Sequence, residues 1–285
     1  MRFSAAASLV VFFPVFASLP CPCQTADATA ATHIETAPEM IARFNPTQKQ
    51  QYDLAAMNFS GQNYADAFTQ FKALLKDLPG DAVLTKFASE SALNTGDTAY
   101  ALSNMKPIAA ANPEDWQAAS ILTRAYAESG NKDDRDAGIA HMVELHKRGI
   151  TPPHMQQYIL ERVRTPDRTI LIFTSLEPWG HYKVYDYAQV FDEEGHLVLR
   201  LTLESNDTDQ PLFAKEHPKE AASGARLFSI DGYSGPTTAA QSGETHSTYK
   251  FFTGQPSYDT VREAFLSIAS DKSSPVTSRV NTSPQ

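Results

Sequence analysis

The chain has 285 residues, and its 24 basic and 33 acidic side chains give a formal net charge of −9 at pH 7. An acidic balance of this size argues against nucleic acid, or an anionic membrane surface, as the main ligand. The length favours two domains, at about 150 residues each, and the composition changes near residue 165 from Ala, Leu, Gln and Lys to Tyr, Phe, Thr and Val.

The N-terminus has the pattern of a secretory signal peptide. A single basic residue, Arg2, precedes an apolar run from Ala5 to Phe16, and this run is shorter than the roughly 20 residues that span a bilayer. We predict a signal peptide over residues 1–23, with cleavage as late as residue 28 as a second option; an uncleaved anchor is the alternative. The mature chain is then periplasmic or secreted, with no stable membrane insertion after the signal is removed.

The chain's two cysteines, Cys21 and Cys23, lie within this predicted signal peptide. A proline precedes each of them, whereas bacterial lipid anchoring normally needs Gly, Ala or Ser at that position, so the pattern argues against a lipoprotein. Either cleavage site leaves a mature chain without cysteine. We therefore predict a fold without disulfides and without thiolate metal sites.

Residues 24–46 are rich in Ala and Thr with scattered Pro, and they predict a flexible linker. After this linker the sequence repeats with a period of 34 residues, which is typical of stacked helical hairpins. The period is carried by Ala67 and Ala101, by Pro79 and Pro113, and by Gly96 and Gly130.

Within the first unit the residue types follow a recognisable order. Tyr64 and Ala67 open its second helix, Phe71 continues the apolar face, and Pro79 ends the unit because proline cannot extend the helical hydrogen bonds. In this order and period the sequence resembles the tetratricopeptide repeat (TPR) family over residues 47–150. An unrelated helical bundle is the alternative.

The third unit departs from this pattern, because Asp133–Asp136 suggest a short insertion that delays its second helix. Thr151 and the two prolines after it then provide a capping residue and a helix start. Apolar residues at every fourth position from Met155 to Val163 form one stripe. We predict a helix here that caps the open end of the array, so the helical domain spans residues 47–165.

The resemblance implies a concave groove that is lined by the first helix of each unit and binds a protein or peptide partner. By register its candidate lining residues are Lys49, Tyr52, Phe59, Lys86, Glu90, Gln117, Ser120 and Arg124. Some family members clamp a C-terminal carboxylate with Lys, Asn and Arg, but Tyr52 and Ala56 stand where the Lys and Asn are expected, so this clamp is absent. The residue mix suits an amphipathic or extended peptide better. Alternatively, Tyr52 and Phe59 pack against the neighbouring helix.

From Arg168 the apolar periodicity changes to two, which predicts β-strands. The predicted strands are residues 169–174, 182–191, 196–204, 225–231 and 247–253. A glycine that ends the short acidic loop 193–195 is typical of a three-residue hairpin. This hairpin pairs Phe191 with Leu197, Gln189 with Leu199 and Tyr187 with Leu201, and it predicts a face of aromatic residues against leucines.

A helix over Pro256–Ala269, capped by Ser257, is predicted to cover the leucine face. Residues 166–270 then form a small antiparallel sheet with one helix, for which we recognise no family, and residues 271–285 are predicted to be a disordered tail. The predicted fold class is α+β, with an N-terminal helical tetratricopeptide-like array followed by this sheet domain and its C-terminal helix.

The sequence contains no phosphate loop, dinucleotide glycine pattern, zinc-protease motif or nucleophile elbow. We therefore predict no enzyme activity, no cofactor and no metal site. Trp179 and His181 are candidates for a ligand-binding loop, and the alternative is that Trp179 plugs the sheet edge.

These features predict an exported, non-catalytic adaptor or scaffold of the cell envelope that holds a protein or peptide partner in its helical groove. The first alternative is a ligand- or glycan-binding module in which the sheet domain is primary. The second is an enzyme with its site between the two halves.

Overall fold

The structure is a computed structural model that describes residues 33–179, 182–206, 210–234 and 245–271. The predicted signal peptide, residues 24–32 of the predicted linker, His181 and the predicted tail after Asp271 lie outside these residues.

Three helical hairpins follow one another in the N-terminal part. The helices are α1 (Ala37–Ala42), α2 (Pro46–Ser60), α3 (Tyr64–Asp77), α4 (Ala82–Thr95), α5 (Thr98–Ala111), α6 (Trp116–Glu128) and α7 (Lys132–Lys147). The hairpins are α2–α3, α4–α5 and α6–α7. Their second helices begin at residues 64, 98 and 132, so consecutive starts are 34 residues apart. The predicted helical repeats are confirmed.

Small and aromatic side chains hold neighbouring helices together. Ala67 and Ala101 are fully buried, and their size lets the helices approach closely. Between the first two hairpins the rings of Phe71 and Phe87 stack with their centroids 5.3 Å apart. Of the three pairs that defined the period in the sequence, the alanine pair therefore lies in the helical core.

The predicted linker is wrong in its last part, because residues 37–42 form α1. Thr36 and Glu39 make a reciprocal capping box at its N-terminus. Met40 is fully buried in the first-hairpin core, and Arg43 donates a hydrogen bond of 2.8 Å to Asp81. Burial of this one large side chain and a good cap offset the weak helical signal of an Ala/Thr-rich segment.

The predicted insertion in the third unit is also wrong. Helix α7 begins at Lys132, and the side chain of Asn131 caps it by accepting from the backbone N–H of Asp134. Asp133 and Asp134 lie in the first helical turn, where negative charge is favoured by the helix dipole. The acidic run starts the helix and does not delay it.

Six strands form one antiparallel sheet in the order β1-β2-β3-β4-β5-β6. The strands are β1 (Gln157–Arg164), β2 (Thr169–Trp179), β3 (Tyr182–Phe191), β4 (Leu197–Asn206), β5 (Leu227–Ser234) and β6 (Thr245–Thr253). Two short helices, α8 (Gln210–Glu216) and α9 (Pro218–Ala222), lie between β4 and β5, and α10 (Tyr258–Ser270) follows β6. The five predicted strands and the C-terminal helix are confirmed.

The predicted capping helix is wrong, because its residues form β1. Residues 157–164 pair with β2 in an antiparallel ladder that has a bulge between Ile159 and Glu161. Tyr158 and Leu160 are buried against the helices, whereas Glu161 is buried toward α10. Successive side chains of β1 therefore point to opposite faces of the sheet and contact different elements, which is the pattern of a strand. A helix with one apolar stripe would bury only one face.

The predicted hairpin turn is confirmed, but most of the predicted β3–β4 register is wrong. Gly195 has a φ of 84°, and Phe191 pairs with Leu197 as predicted. A bulge then shifts the ladder by one residue, so that Leu199 lies opposite Val190 and not opposite Gln189. Because a shift of one exchanges the two faces of a strand, the residues opposite Leu199 and Leu201 are Val190 and Ala188 instead of Gln189 and Tyr187.

Helix α10 covers this core face. Ser257 caps it by accepting from the backbone N–H of Thr260, as predicted. Val261 and Phe265 are fully buried against Leu199 and Leu201 of β4. The prediction that this helix covers the leucine face is confirmed.

The sheet closes the last hairpin of the helical array. Tyr158 and Leu160 of β1 pack with Met142 and Leu145 of α7 in one apolar cluster. Arg135, 34 residues after Ala101, takes the place of the small residue and forms a 2.7 Å ion pair with Asp259 of α10. The described residues from Ile34 onward belong to one compact unit, and the predicted division at residue 165 stays a prediction.

Among the described residues, none of the helices combines the length and the apolar content needed to cross a bilayer.

Candidate functional site

A cavity of about 620 Å³ opens between the first helices of the hairpins. Its walls come from the segment that starts α1, from the end of α2, from the N-terminal halves of α4 and α6, and from the chain after α7. The lining residues are Ile34, Glu35, Thr36, Ala37, Phe59, Val83, Lys86, Phe87, Glu90, Glu114, Asp115, Trp116, Gln117, Ser120, Ile121 and Ile150. We call this cavity the groove.

Apolar side chains from different helices converge in the groove. Val83 of α4 and Ile121 of α6 are almost fully buried there. The rings of Phe59 and Phe87 meet edge to face, with their centroids 5.6 Å apart. Trp116, at the start of α6, adds a third aromatic ring to the lining. An apolar side chain of a ligand would find an aromatic and aliphatic surface here.

The single lysine of the groove lining is already paired. The Nζ of Lys86 donates to Asp115 at 2.8 Å and to the side-chain oxygen of Gln117 at 3.2 Å. Asp115 also accepts from the backbone N–H of Ala118 at 3.0 Å, which caps α6. This buried pair joins the second and third hairpins. Because Lys86 is already paired with a carboxylate, it does not require an anionic ligand.

Carboxylates outnumber cations on the groove lining. Four acidic residues line it, namely Glu35, Glu90, Glu114 and Asp115, against the one lysine. Three arginines outside the lining, Arg43, Arg124 and Arg148, form ion pairs with the three glutamates. Because carboxylate oxygens accept several hydrogen bonds, the glutamates can still accept from a basic ligand.

A buried ion network supports one wall of the groove. The Nη1 of Arg124 on α6 donates to Glu90 at 2.8 Å, and its Nε donates to Glu128 at 2.7 Å. Its Nη2 donates to the side-chain oxygen of Asn94. Burial raises the pKa of Glu128, and Arg124 acts against that rise. The network joins α4 to α6.

Five of the predicted groove residues lie together on the lining: Phe59, Lys86, Glu90, Gln117 and Ser120. Tyr52 is not among them, because it is buried among other rings, and its ring centroid lies 6.1 Å from that of Phe87. Arg124 is buried in the network behind the wall, and Lys49 is exposed outside the lining.

Sequence reasoning missed the part of the groove that comes from outside the repeats. Residues 34–37, which precede and begin α1, and Ile150, which follows α7, all line it. The spacing of Thr36 and Glu39 is a capping-box pattern, and this signal could have indicated α1. Nothing in the local sequence around Ile150 indicates a contact with the groove.

The structure describes only part of the predicted ligand loop. Trp179 is the last residue of β2 and pairs with Val184, and His181 lies outside the described residues. In the described part of the chain, one group of potential metal ligands stands out at the β3–β4 turn, where atoms of Asp192, Glu194 and His196 lie within 4.8 Å of one another. These residues are mostly exposed, and such groups are common on protein surfaces without an ion.

No protein-family model matches the sequence, and no curated protein matches it. Three solved structures are similar to the helical part. MamA from Desulfovibrio magneticus RS-1 is 21% identical over 35% of this chain and 56% of that chain, with a TM-score of 0.34. PcrH in complex with the chaperone binding region of PopB is 19% identical over 39% of this chain and 89% of that chain, with a TM-score of 0.35. TTC0263, a thermophilic TPR protein in Thermus thermophilus, is 20% identical over 37% of this chain and 57% of that chain, with a TM-score of 0.32. The match with MamA therefore spans less than two thirds of that protein.

Proposed function

We propose that this protein is an exported, non-catalytic adaptor of the cell envelope that holds a peptide segment of another protein in its groove. The observation that carries the proposal is the groove itself, an open cavity of about 620 Å³ with aromatic walls and an acidic rim between stacked helical hairpins. Concave surfaces of stacked repeats are suited to extended or helical peptides.

The lining favours a peptide that carries a large apolar side chain beside a lysine or arginine. Phe59, Phe87 and Trp116 offer the apolar contact, and burying about 100 Å² of apolar surface contributes roughly 2.5 kcal/mol. Glu90 and Glu114 lie on the same lining and would attract a cation on the peptide. Each of these glutamates is also paired with an arginine, so the preference for a cation rests on the further hydrogen bonds that their oxygens can accept.

Peptide selection against the full chain tests this proposal. A random peptide library would be selected on wild-type protein, and the enriched peptides would be measured by calorimetry. Apolar residues next to Lys or Arg should be enriched. A library that yields no saturable binder, or one enriched in acidic peptides, would contradict the proposed groove chemistry.

A matched pair of serine variants locates the binding. Ser120 lies on the groove lining and bonds to the carbonyl of Gln117 in its own helix, and exposed Ser103 of α5 makes the same kind of bond to Tyr100 outside the groove. Ser120→Arg adds bulk and positive charge to the groove and should weaken binding at least tenfold. Ser103→Arg should leave it unchanged, and equal effects of the two would place binding elsewhere.

Export is proposed from the N-terminal sequence pattern alone. Mass spectrometry of the protein purified from its native host tests it. The expected mature chain begins at residue 24 or residue 29, and an intact N-terminus with Met1 retained would contradict cleavage.

A further inference from the structure

A second cavity, of about 360 Å³, lies where β1 crosses the turn between α2 and α3. It shares no lining residue with the groove. Two arginines of β1, Arg162 and Arg164, form one side of it, and the turn with the first residues of α3 forms the other. We call it the arginine pocket.

The two arginines face the pocket from the same side of the strand, because they are two residues apart. The Nε of Arg162 is buried and has no hydrogen-bond partner. Arg164 donates to the backbone carbonyl of Asn94 at the end of α4. Within the described residues, neither guanidinium forms an ion pair with a carboxylate.

An acidic side chain next to Arg162 is already engaged. Glu128 accepts from the side chain of Arg124 at 2.7 Å and from the backbone N–H of Arg162 at 3.1 Å. Burial, followed by the positive charges of Arg124 and Arg164, lowers the pKa of Arg162. Positive charge is thus concentrated here, in a chain whose net charge is −9.

The opposite side of the pocket carries one negative charge and several neutral groups. Asp66 lies on the lining and opposes an anion, so the lining holds two cations against one carboxylate. Gln62 and Asn63 add side-chain amides that can donate hydrogen bonds. The ring of Tyr64 lies 5.7 Å from the guanidinium of Arg162 and keeps that group in place.

We propose that the arginine pocket binds a small oxyanion, the phosphate or carboxylate group of a solute, between the guanidinium groups of Arg162 and Arg164. Planar guanidinium groups suit this role because each can donate two parallel hydrogen bonds to an oxyanion. This site is separate from the groove and stands without the proposed peptide binding.

Calorimetry of the full chain with inorganic phosphate and with acetate tests the proposal, with sodium chloride at matched ionic strength as the blank. Saturable binding of phosphate, acetate or both is expected, and the pattern shows whether the site prefers a tetrahedral or a planar oxyanion. Absence of saturable binding of both probes by folded wild-type protein would overturn the proposal.

Three variants locate the site. Arg162→Gln and Arg164→Gln should each weaken binding at least tenfold, and Arg148→Gln, at an exposed arginine outside both cavities, should leave it unchanged. Arg164 is exposed, so its replacement tests the site even where Arg162→Gln lowers stability. Arg164→Lys keeps the charge but loses the paired donors, and it should bind less tightly than wild type. Unchanged affinity in both glutamine variants would contradict the site.

Discussion

Helices α4 and α6 meet two different environments at their two ends. Their N-terminal halves line the open groove, whereas their C-terminal ends lie beneath β1. On the covered side, Leu160 is fully buried and Arg162 donates its backbone N–H to Glu128 at the end of α6. On the open side, Gln117 and Ser120 remain accessible to a ligand. The contrast separates side chains that are buried under β1 from groove side chains that a peptide can reach.

The largest effect on stability is expected on the covered side, from Leu160→Ala. The change removes a fully buried side chain from the cluster that joins the sheet to the last hairpin, and it should cost about 2–5 kcal/mol of unfolding free energy. Urea unfolding of the full chain measures it. Leu212→Ala is the control, because Leu212 is 56% exposed, and it should change stability by less than about 0.5 kcal/mol. Equal costs would show that the sheet does not close the array.

A pH-dependent effect is expected at Asp186 of β3. Burial raises the pKa of Asp186 to about 6, although a hydrogen bond from Thr174 opposes the rise. A raised pKa means that the folded state holds the proton more tightly than the unfolded state. The ionised Asp186 therefore lowers the stability of the fold. This loss of stability is absent below the unfolded pKa of about 4, grows as the pH rises, and is complete above about 6.

Asp186→Asn should therefore gain stability relative to wild type as the pH rises from 4 to 8, by roughly 2–3 kcal/mol. Urea unfolding at pH 4, 6 and 8 measures this difference. Asp53→Asn, at an exposed position on α2, serves as the control. A stability difference that does not change with pH would contradict the burial of an ionisable carboxyl at residue 186.

A close helix contact near the covered side makes Gly138→Ala destabilising. A Cβ at this position would lie 2.3 Å from the Oγ1 of Thr123 on α6, so α6 and α7 must separate or Thr123 must move. The expected cost is about 1–3 kcal/mol despite the better helix propensity of alanine. Thr123→Ala in the same chain should recover part of the loss, and a double-mutant cycle without coupling would argue against this contact.

The smallest effect is expected at the turn beside the arginine pocket, from Gln62→Gly. Gln62 has a φ of 61°, and glycines occupy the positions 34 and 68 residues later, Gly96 and Gly130, with φ values of 92° and 75°. Relief of this left-handed strain should stabilise the protein by about 1 kcal/mol in thermal unfolding. The variant also removes an amide donor from the pocket, so it should bind the oxyanion less tightly.

The periodic features of the sequence predicted the fold, and the non-periodic ones did not. The repeat of Ala67 at Ala101 indicated the hairpins, since a close helix crossing needs a small residue at the same place in each unit. Strand β1 was missed because its helix-start signals are local, whereas its pairing with β2 is not. The bulge next to Phe191 has no signal of its own in the sequence, so the register after the turn could not be predicted.

The groove was predicted only where helix register alone decides what faces it. Phe59 and Lys86 line it as their spacing indicates. Tyr52 and Arg124 share that spacing but are buried outside the lining. Tyr52 packs against neighbouring rings, and Arg124 pairs with Glu90, which lies 34 residues earlier in the chain. Such pairings become visible only once the hairpins are stacked.

Site-specific photo-crosslinking of a library-selected peptide tests the central claim most directly. A photoreactive residue would replace Gln117 on the groove lining in one full-chain variant and Ser103 outside the groove in another. The account predicts that the peptide crosslinks from position 117 and not from position 103. Crosslinking of equal yield at both positions, or from position 103 alone, would contradict the assignment of the groove as the binding surface.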